Sequence, residues 1–473
     1  MRMKNVQMSL LDTYNDVCKT MENNKPKFLA LLEKHIDFRE LIPAPFIWAF
    51  YRQLGRPREY SLESFLRFLV LQKILGIDKD SAFLAVLKMS SELRDYCGFE
   101  TVPDASKITR FKQDFVVYIK MIFDKLVEIT EPICREIDPK KADYLIYDPT
   151  GIKAHVAENN PKFLNTKMIQ AKKMAKGNPQ LKPHALAYSL MPDAALANPF
   201  VKQQYINGHF CYAFKAGILS NGIGIVRDIN FFDEDFKRKH PHVVSQKTND
   251  PELDKEISDS VSLRPVLSDF FEKHPSFSYK TFLGDASFDS YDNFTMLRKE
   301  FHFDRVAIPL NKRNSSSAHS EFDDNGTPIC PLDKTPFTYI GKSGGKNRSL
   351  RFKWVCHKSE RAGKKRFCSC ETPCTESSYG RCVYTYPDKD FRLYPGIPRG
   401  TKHWDNLYRH RVLIERSIYL LKDPLGADSR KSFSMRTAKA NLLLAGITQL
   451  VGVVLANAIN KQHLYKSVRK LVA

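Results

Sequence analysis

The spacing of apolar residues changes once along this chain, and that change constrains the fold more than any other feature. From Phe46 to about Ile137 apolar positions recur three and four apart, as at Leu62, Phe65, Leu66, Leu69 and Val70, and again at Phe83, Val86 and Leu87. This is the period of helices that bury one face. After Pro139 the period shortens. Tyr144-Leu145-Ile146-Tyr147 reads as a strand ending at Asp148, and Phe210 to Leu219 and Ile223 to Phe232 flank Ser220-Asn221-Gly222, whose Asn-Gly pair favours a hairpin turn. A helix over Val261 to Lys273, a strand from Tyr279 to Leu283 ending at Gly284-Asp285, a helix near Tyr291 to Phe301 and a strand from Arg305 to Leu310 follow. An all-helical N-terminal domain (residues 1–139) followed by an α/β core (its first part 140–310) is the expected organisation.

Residues 311–395 break the rhythm, being rich in Gly, Ser, Lys and Cys with few apolar runs, and read as an insertion. The helical pattern resumes near Trp404 and runs to Lys422, where Asp423-Pro424 stops it because proline lacks the next backbone donor. Residues 396–473 are therefore expected to complete the core with this helix and the C-terminal helices. Ala440 to Ile459 is apolar but carries Asn441, Thr448, Gln449 and Asn457, which suits a buried helix better than a membrane span.

The chain carries 74 Lys and Arg against 53 Asp and Glu, a formal charge of +21. Such an excess repels itself unless a polyanion offsets it, so nucleic acid is the leading partner. With 42% hydrophobic residues the chain has enough apolar material for a core and is not mainly disordered. Met1 to Leu11 has no apolar signal-peptide stretch, so the ten cysteines are expected to be reduced thiols or metal ligands, in a cytoplasmic, nucleoid-associated protein. Between the N-terminal helices, Gly98 to Ser106 forms a turn in which Asp104 or Ser106 can cap a helix carrying Lys107, Arg110 and Lys112. A short basic helix after a turn suits DNA, and an ordinary solvated face suits the same spacing.

Tyr408, Arg411, Glu415 and Lys422 stand at offsets 0, 3, 7 and 14, which at about 100° per residue fall in a stripe roughly 60° wide. Leu413, Ile414, Ile418, Leu420 and Leu421 lie on the other side. An Arg-Glu-Lys stripe alone is most often a solvated face. Here it has company, because Asp148 and Asp285 each end an apolar strand, where a carboxylate can meet another from a packed helix. Three acids so placed could hold paired divalent ions, one lowering the pKa of an attacking water and the other stabilising the leaving oxygen of a phosphodiester. Hard oxygen ligands favour Mg²⁺ or Mn²⁺.

These residues resemble the DDE transposases of bacterial insertion sequences, in the group bearing the Y-(2)-R-(3)-E-(6)-K signature, which Tyr408, Arg411, Glu415 and Lys422 match without a gap. Asp148-Pro149-Thr150 is similar to the first-Asp segment and Gly284-Asp285-Ala286-Ser287-Phe288 to the second, with Pro149 and Ser287 in place of the commoner glycine. The region from Leu62 to Phe111 is similar to the N-terminal domain of such enzymes. The resemblance implies an RNase H-like mixed-sheet core split by the insertion, with Asp148, Asp285 and Glu415 holding Mg²⁺. It also implies cleavage at transposon ends and strand transfer into target DNA. Tyr408, Arg411 and Lys422 would contact DNA phosphates, Trp404 would stack on a displaced base or pack in the core, and the protein would act as a homodimer on double-stranded DNA. The alternatives are an inactive or regulatory DNA-binding relative and a nuclease of the same fold.

Two further segments are unusually rich in lysine or cysteine. Between Asn159 and Met191 lie Lys162, Lys167, Lys172, Lys173, Lys176 and Lys182 without an acid, expected as a flexible basic loop that neutralises DNA phosphates. The insertion holds Cys330, Cys356, Cys368, Cys370, Cys374 and Cys382, and ten Lys or Arg between Lys342 and Arg366 against the single acid Glu360. Structural Zn²⁺ on Cys330, Cys356, Cys368 and Cys374, with Cys370 and Cys382 as substitutes, stands beside buried free thiols as the alternative. His155, His209 and His403 are read as surface or packing residues.

Overall fold

The structure is a computed structural model that describes residues 11, 14, 26–51, 55–176, 178, 180–206, 209–244, 257–311, 321–323, 325–345, 348–363, 365–428, 434–467 and 470–471. The chain divides into two units, Met1–Ile133 with Leu421–Ala473, and Cys134–Leu420.

The first unit is helical, as the three-and-four spacing predicts. Ser61 caps the helix Leu62–Ile74 by accepting from the Ser64 amide, and Ser90 caps Ser91–Cys97, which ends on Gly98 at φ 71°. That left-handed conformation favours glycine. Asp104 is the cap of the basic helix Ala105–Asp114, accepting from the Ser106 amide at 2.8 Å. Phe65 stacks on Phe111 with ring centroids 4.6 Å apart.

The helix Met435–Ala458 belongs to this unit, not to the core where its place in the sequence put it. It is apolar on every side, so it needs partners all round, and Leu62–Ile74 and Ala105–Asp114 lie against it. It is long and apolar enough to cross a membrane, yet 89% of its most apolar stretch is buried within the protein. Gln113 donates to Thr437 Oγ1 at 3.1 Å, and the buried Lys73 ammonium donates to the Leu425 carbonyl at 2.9 Å. Residues far apart in the chain thus share one helical core.

The second unit is built on a seven-stranded mixed sheet: β1 Tyr144–Lys153, β2 Ala194–Ala195, β3 Asn198–Ile206, β4 His209–Asn221, β5 Val226–Phe231, β6 Thr281–Leu283 and β7 Arg305–Ala307. Its order is β2-β3-β4-β1-β6-β7, with β5 also paired to β4. β4 runs antiparallel to β1, β3 and β5, whereas β6 is parallel to β1 and to β7. The hairpin expected at Ser220-Asn221-Gly222 is the β4–β5 turn, closed by the Ile225 amide donating to Asn221 Oδ1 at 3.0 Å. Helices Asp259–Lys273 and Tyr291–Lys299 contribute Leu263, Val266, Leu267, Phe270, Phe294 and Leu297 to a core with Leu145, Tyr147, Phe282 and Val306. The Tyr147 hydroxyl shares a 2.7 Å hydrogen bond with Ser262, which supplies the polar partner a buried phenol needs.

Three expectations change here. β1 continues to Lys153, so Asp148 lies inside a strand rather than at its end, because β4 offers a partner along the whole stretch. The basic segment after Asn159 is not a loop but the helices Pro161–Ala175 and Pro183–Ser189. Proline at each first turn and the Asn160 side chain, which accepts from the Lys162 amide at 3.0 Å, start helices that the Lys, Ala, Leu and Met content sustains. The insertion has a fold and a small core of its own. β8 Thr338–Gly345, β9 Arg348–Val355 and β12 Cys382–Thr385 form an antiparallel sheet in the order β12-β9-β8, and β10 Ser359–Ala362 pairs with β11 Lys365–Cys368. Phe337, Phe352, Trp354 and Tyr394 pack with Cys330 and Cys356. Its apolar residues are scattered singly, which hides a strand face from a search for apolar runs.

Candidate active site

Asp148 and Asp285 meet because β1 and β6 are parallel neighbours. Ile146 pairs with Leu283, so Asp148 and Asp285 each stand two residues beyond a paired position, the first still within β1 and the second in the turn past the end of β6. β1 holds Asp148 through its pairing with Ile218 of β4. Asp285 follows β6 and caps the short turn Ala286–Phe288, accepting from the Ser287 amide at 2.9 Å. A Cβ on Gly284 would lie 2.9 Å from the Phe288 ring and 3.1 Å from the Phe282 ring. The glycine therefore lets the chain turn tightly between strand and acid.

The third acid arrives from a different element. The stripe is not one straight helix: Lys402–Tyr408 ends, Arg409–Arg411 forms a tighter turn, and Val412–Lys422 carries Glu415. The turn aims Arg411 at the acids. Its Nη2 lies 3.2 Å from Asp148 Oδ2 and 3.8 Å from Asp285 Oδ2, and its Nη1 donates to Glu415 Oε1. One guanidinium therefore bridges the three acids singled out in the sequence.

Burial pushes the Asp148 carboxyl up to about 7; Arg411 opposes that shift, and repulsion from Asp285, Asp259 and Glu415 adds to it. Burial likewise raises the Tyr408 phenol, with Arg411 opposing and Asp285, Glu415 and Asp148 adding, so Tyr408 stands at the same site. Among the described residues the three acids share one ion-pair partner, Arg411, an imbalance of charge that fits further cation binding. Among the described residues, however, no three His, Cys, Asp or Glu side chains are grouped so as to hold a metal ion as they stand.

The other residues singled out in the sequence divide. Trp404 is buried, with Tyr408 stacked on it at 6.2 Å and the Arg399 guanidinium 5.2 Å from its ring, contacts that match the packing alternative. Lys422 ends the Glu415 helix and falls in the helical unit. Lys172 and Lys173 are exposed in the last turn of Pro161–Ala175. In the insertion, Cys330 and Cys356 are buried, Cys368, Cys370, Cys374 and Cys382 are half-buried, and all six are free thiols.

Sequence reading missed a buttress beside Asp285. The buried Asp289 accepts two 2.8 Å bonds from Arg392 and one of 2.7 Å from the Asn311 amide. Arg399, itself buried, donates to the carbonyls of Ile308 and Arg392. These bonds tie the end of the insertion to the segment after β6. No local pattern marks them, because an ion pair across about a hundred residues has no period.

Residues 17–114 match the family described as Transposase domain (DUF772), a segment of about a fifth of the chain. No curated protein matches the chain. The cryo-EM structure of the piggyBac transposase synaptic complex with hairpin DNA aligns over 96% of this chain and 80% of that one, at 11% identity and a TM-score of 0.40. A likeness at that level does not establish a shared fold.

Proposed function

We propose that this chain is a transposase that cuts DNA at the ends of a mobile element and joins the freed 3′-hydroxyls to target DNA, using Asp148, Asp285 and Glu415. The observation that carries the reading is the convergence of these three acids, from β1, from the end of β6 and from Val412–Lys422, on one guanidinium. The match of residues 17–114 to a transposase domain supports it. So does the run β5-β4-β1-β6-β7, three antiparallel strands followed by two parallel ones, which fits an RNase H-like core.

The acids would hold Mg²⁺ or Mn²⁺, which when bound lowers the pKa of the attacking water and neutralises charge on the leaving oxygen. The chain's own part is to orient and to neutralise. β1 carries one carboxylate and the turn after β6 the other. Tyr408, Arg411 and Lys422 would grip phosphates flanking the cut, and Lys172 and Lys173 would neutralise the backbone further along the double-stranded DNA. Holding two element ends at once implies a homodimer on DNA, at the nucleoid. Zinc on Cys330, Cys356, Cys368 and Cys374 belongs to the same proposal: Cys330, Cys374 and Cys368 lie close enough to help raise the Cys356 thiol, behind burial as the main cause.

The test is incubation of the full chain with end-labelled DNA flanking its own gene, in Mg²⁺ and in EDTA. Metal-dependent nicks at the element ends, followed by joined products, are expected. Glu415→Gln should abolish cleavage with DNA binding nearly intact. Nicks without joining would make the protein a nuclease, and binding without nicks a regulatory relative.

A further inference from the structure

Arg411 is an unusual neighbour for an acid cluster that is read as a metal site. Its guanidinium is largely buried and lies among Asp148, Asp285 and Glu415, where a cation belongs. The fit is incomplete on both sides. One positive charge faces three acids, and the arginine's third nitrogen, Nε, is buried without a hydrogen-bond partner among the described residues. A buried donor left unpaired is destabilising, so a seat that pairs all of its nitrogens would be preferred.

A divalent ion and this guanidinium cannot share the space between the acids. Carboxylate oxygens approach Mg²⁺ to about 2.1 Å, whereas Asp148 and Asp285 now stand 3.2 and 3.8 Å from a guanidinium nitrogen. This accounts for the absence, among the described residues, of any three ligands ready for a metal. A guanidinium set free beside the cut would meet phosphate, the planar-fork partner that arginine matches best.

Resting on the reading that these acids hold the metal, we propose that Arg411 is an internal counter-ion of the DNA-free protein, exchanged for a divalent cation on loading and then free to grip a DNA phosphate. Metal and arginine compete for one place. A single residue thereby links metal loading to strand binding, because removing the arginine from the acids raises the affinity of each partner for what remains.

The experiment measures Mn²⁺ binding by electron paramagnetic resonance to the chelator-stripped full chain without DNA. Arg411→Gln is expected to bind Mn²⁺ at least about tenfold tighter than the wild type, equivalent to about 1.4 kcal/mol. Arg411→Lys keeps the charge but not the fork, so its affinity should fall between the two. It carries the test alone should circular dichroism show the glutamine variant unfolded. Wild-type affinity in the folded variants overturns the exchange. Adding Asp285→Asn to Arg411→Gln separates the two ideas: loss of the tight site leaves the acid reading standing whatever the arginine does, and retention of it overturns the acid reading instead.

Discussion

Replacing Asp148 by Asn should stabilise the metal-free protein, and the gain should grow with pH. The carboxyl of Asp148 is pushed from its ordinary 3.8 up to about 7, first by burial and then by the neighbouring acids, against the pull of Arg411. The folded state therefore binds this proton more tightly than the unfolded chain does. Below about pH 4 both states are protonated and Asn confers nothing. Through the window from 3.8 to about 7 the wild type loses stability as pH rises, and above it the whole cost remains. Three units at 1.36 kcal/mol each give an upper bound of roughly 4 kcal/mol, of which about 2–3 kcal/mol accrues between pH 5 and pH 8. At about 2–4 °C per kcal/mol for domains of 150–250 residues, the melting point in EDTA should rise by several degrees at pH 8 and by less at pH 5. Tryptophan emission suits the assay: Trp354 and Trp404 are buried in the α/β unit, whereas Trp48 is exposed in the helical one. A gain that is equal at the two pH values, or no gain at pH 8, would refute the argument that Asp148 is held ionised at a cost.

Other substitutions separate the remaining roles. Lys422→Ala should weaken DNA binding uniformly across sequences and lower the salt slope by about one; an unchanged slope excludes a phosphate contact. Asp289→Ala leaves Arg392 without its two carboxylate bonds and should cost about 3–5 kcal/mol in urea unfolding of the α/β unit; a loss under 1 kcal/mol would remove Asp289 as a buttress. Elemental analysis of the purified chain should find about one zinc, lost on Cys356→Ser; a folded chain free of zinc ends that proposal.

The two units and the three acids are legible in the sequence for a local reason. Helix and strand periods repeat within ten residues, and a polar stripe among apolar neighbours marks Glu415 before any fold is known. The misreadings arise where a partner distant in the chain decides. β4 extends β1 past Asp148, and Met435–Ala458 joins the N-terminal helices although Gln113 and Thr437, which are hydrogen-bonded, stand 324 positions apart in the chain. The aromatic residues of the insertion pair across strands, so no run announces their core.

By itself the sequence determined where the acids and the basic residues stand and where the N-terminal helices and the first strands of the core fall, because those properties depend on side-chain identity and short-range spacing. Only the tertiary structure decided that β1 and β6 are parallel neighbours with Asp148 and Asp285 two residues beyond their last paired positions, that the helix breaks at Arg409–Arg411, and that Arg411 sits among the acids. Electrostatic interaction depends on distance through space and on burial, and the chain order holds neither.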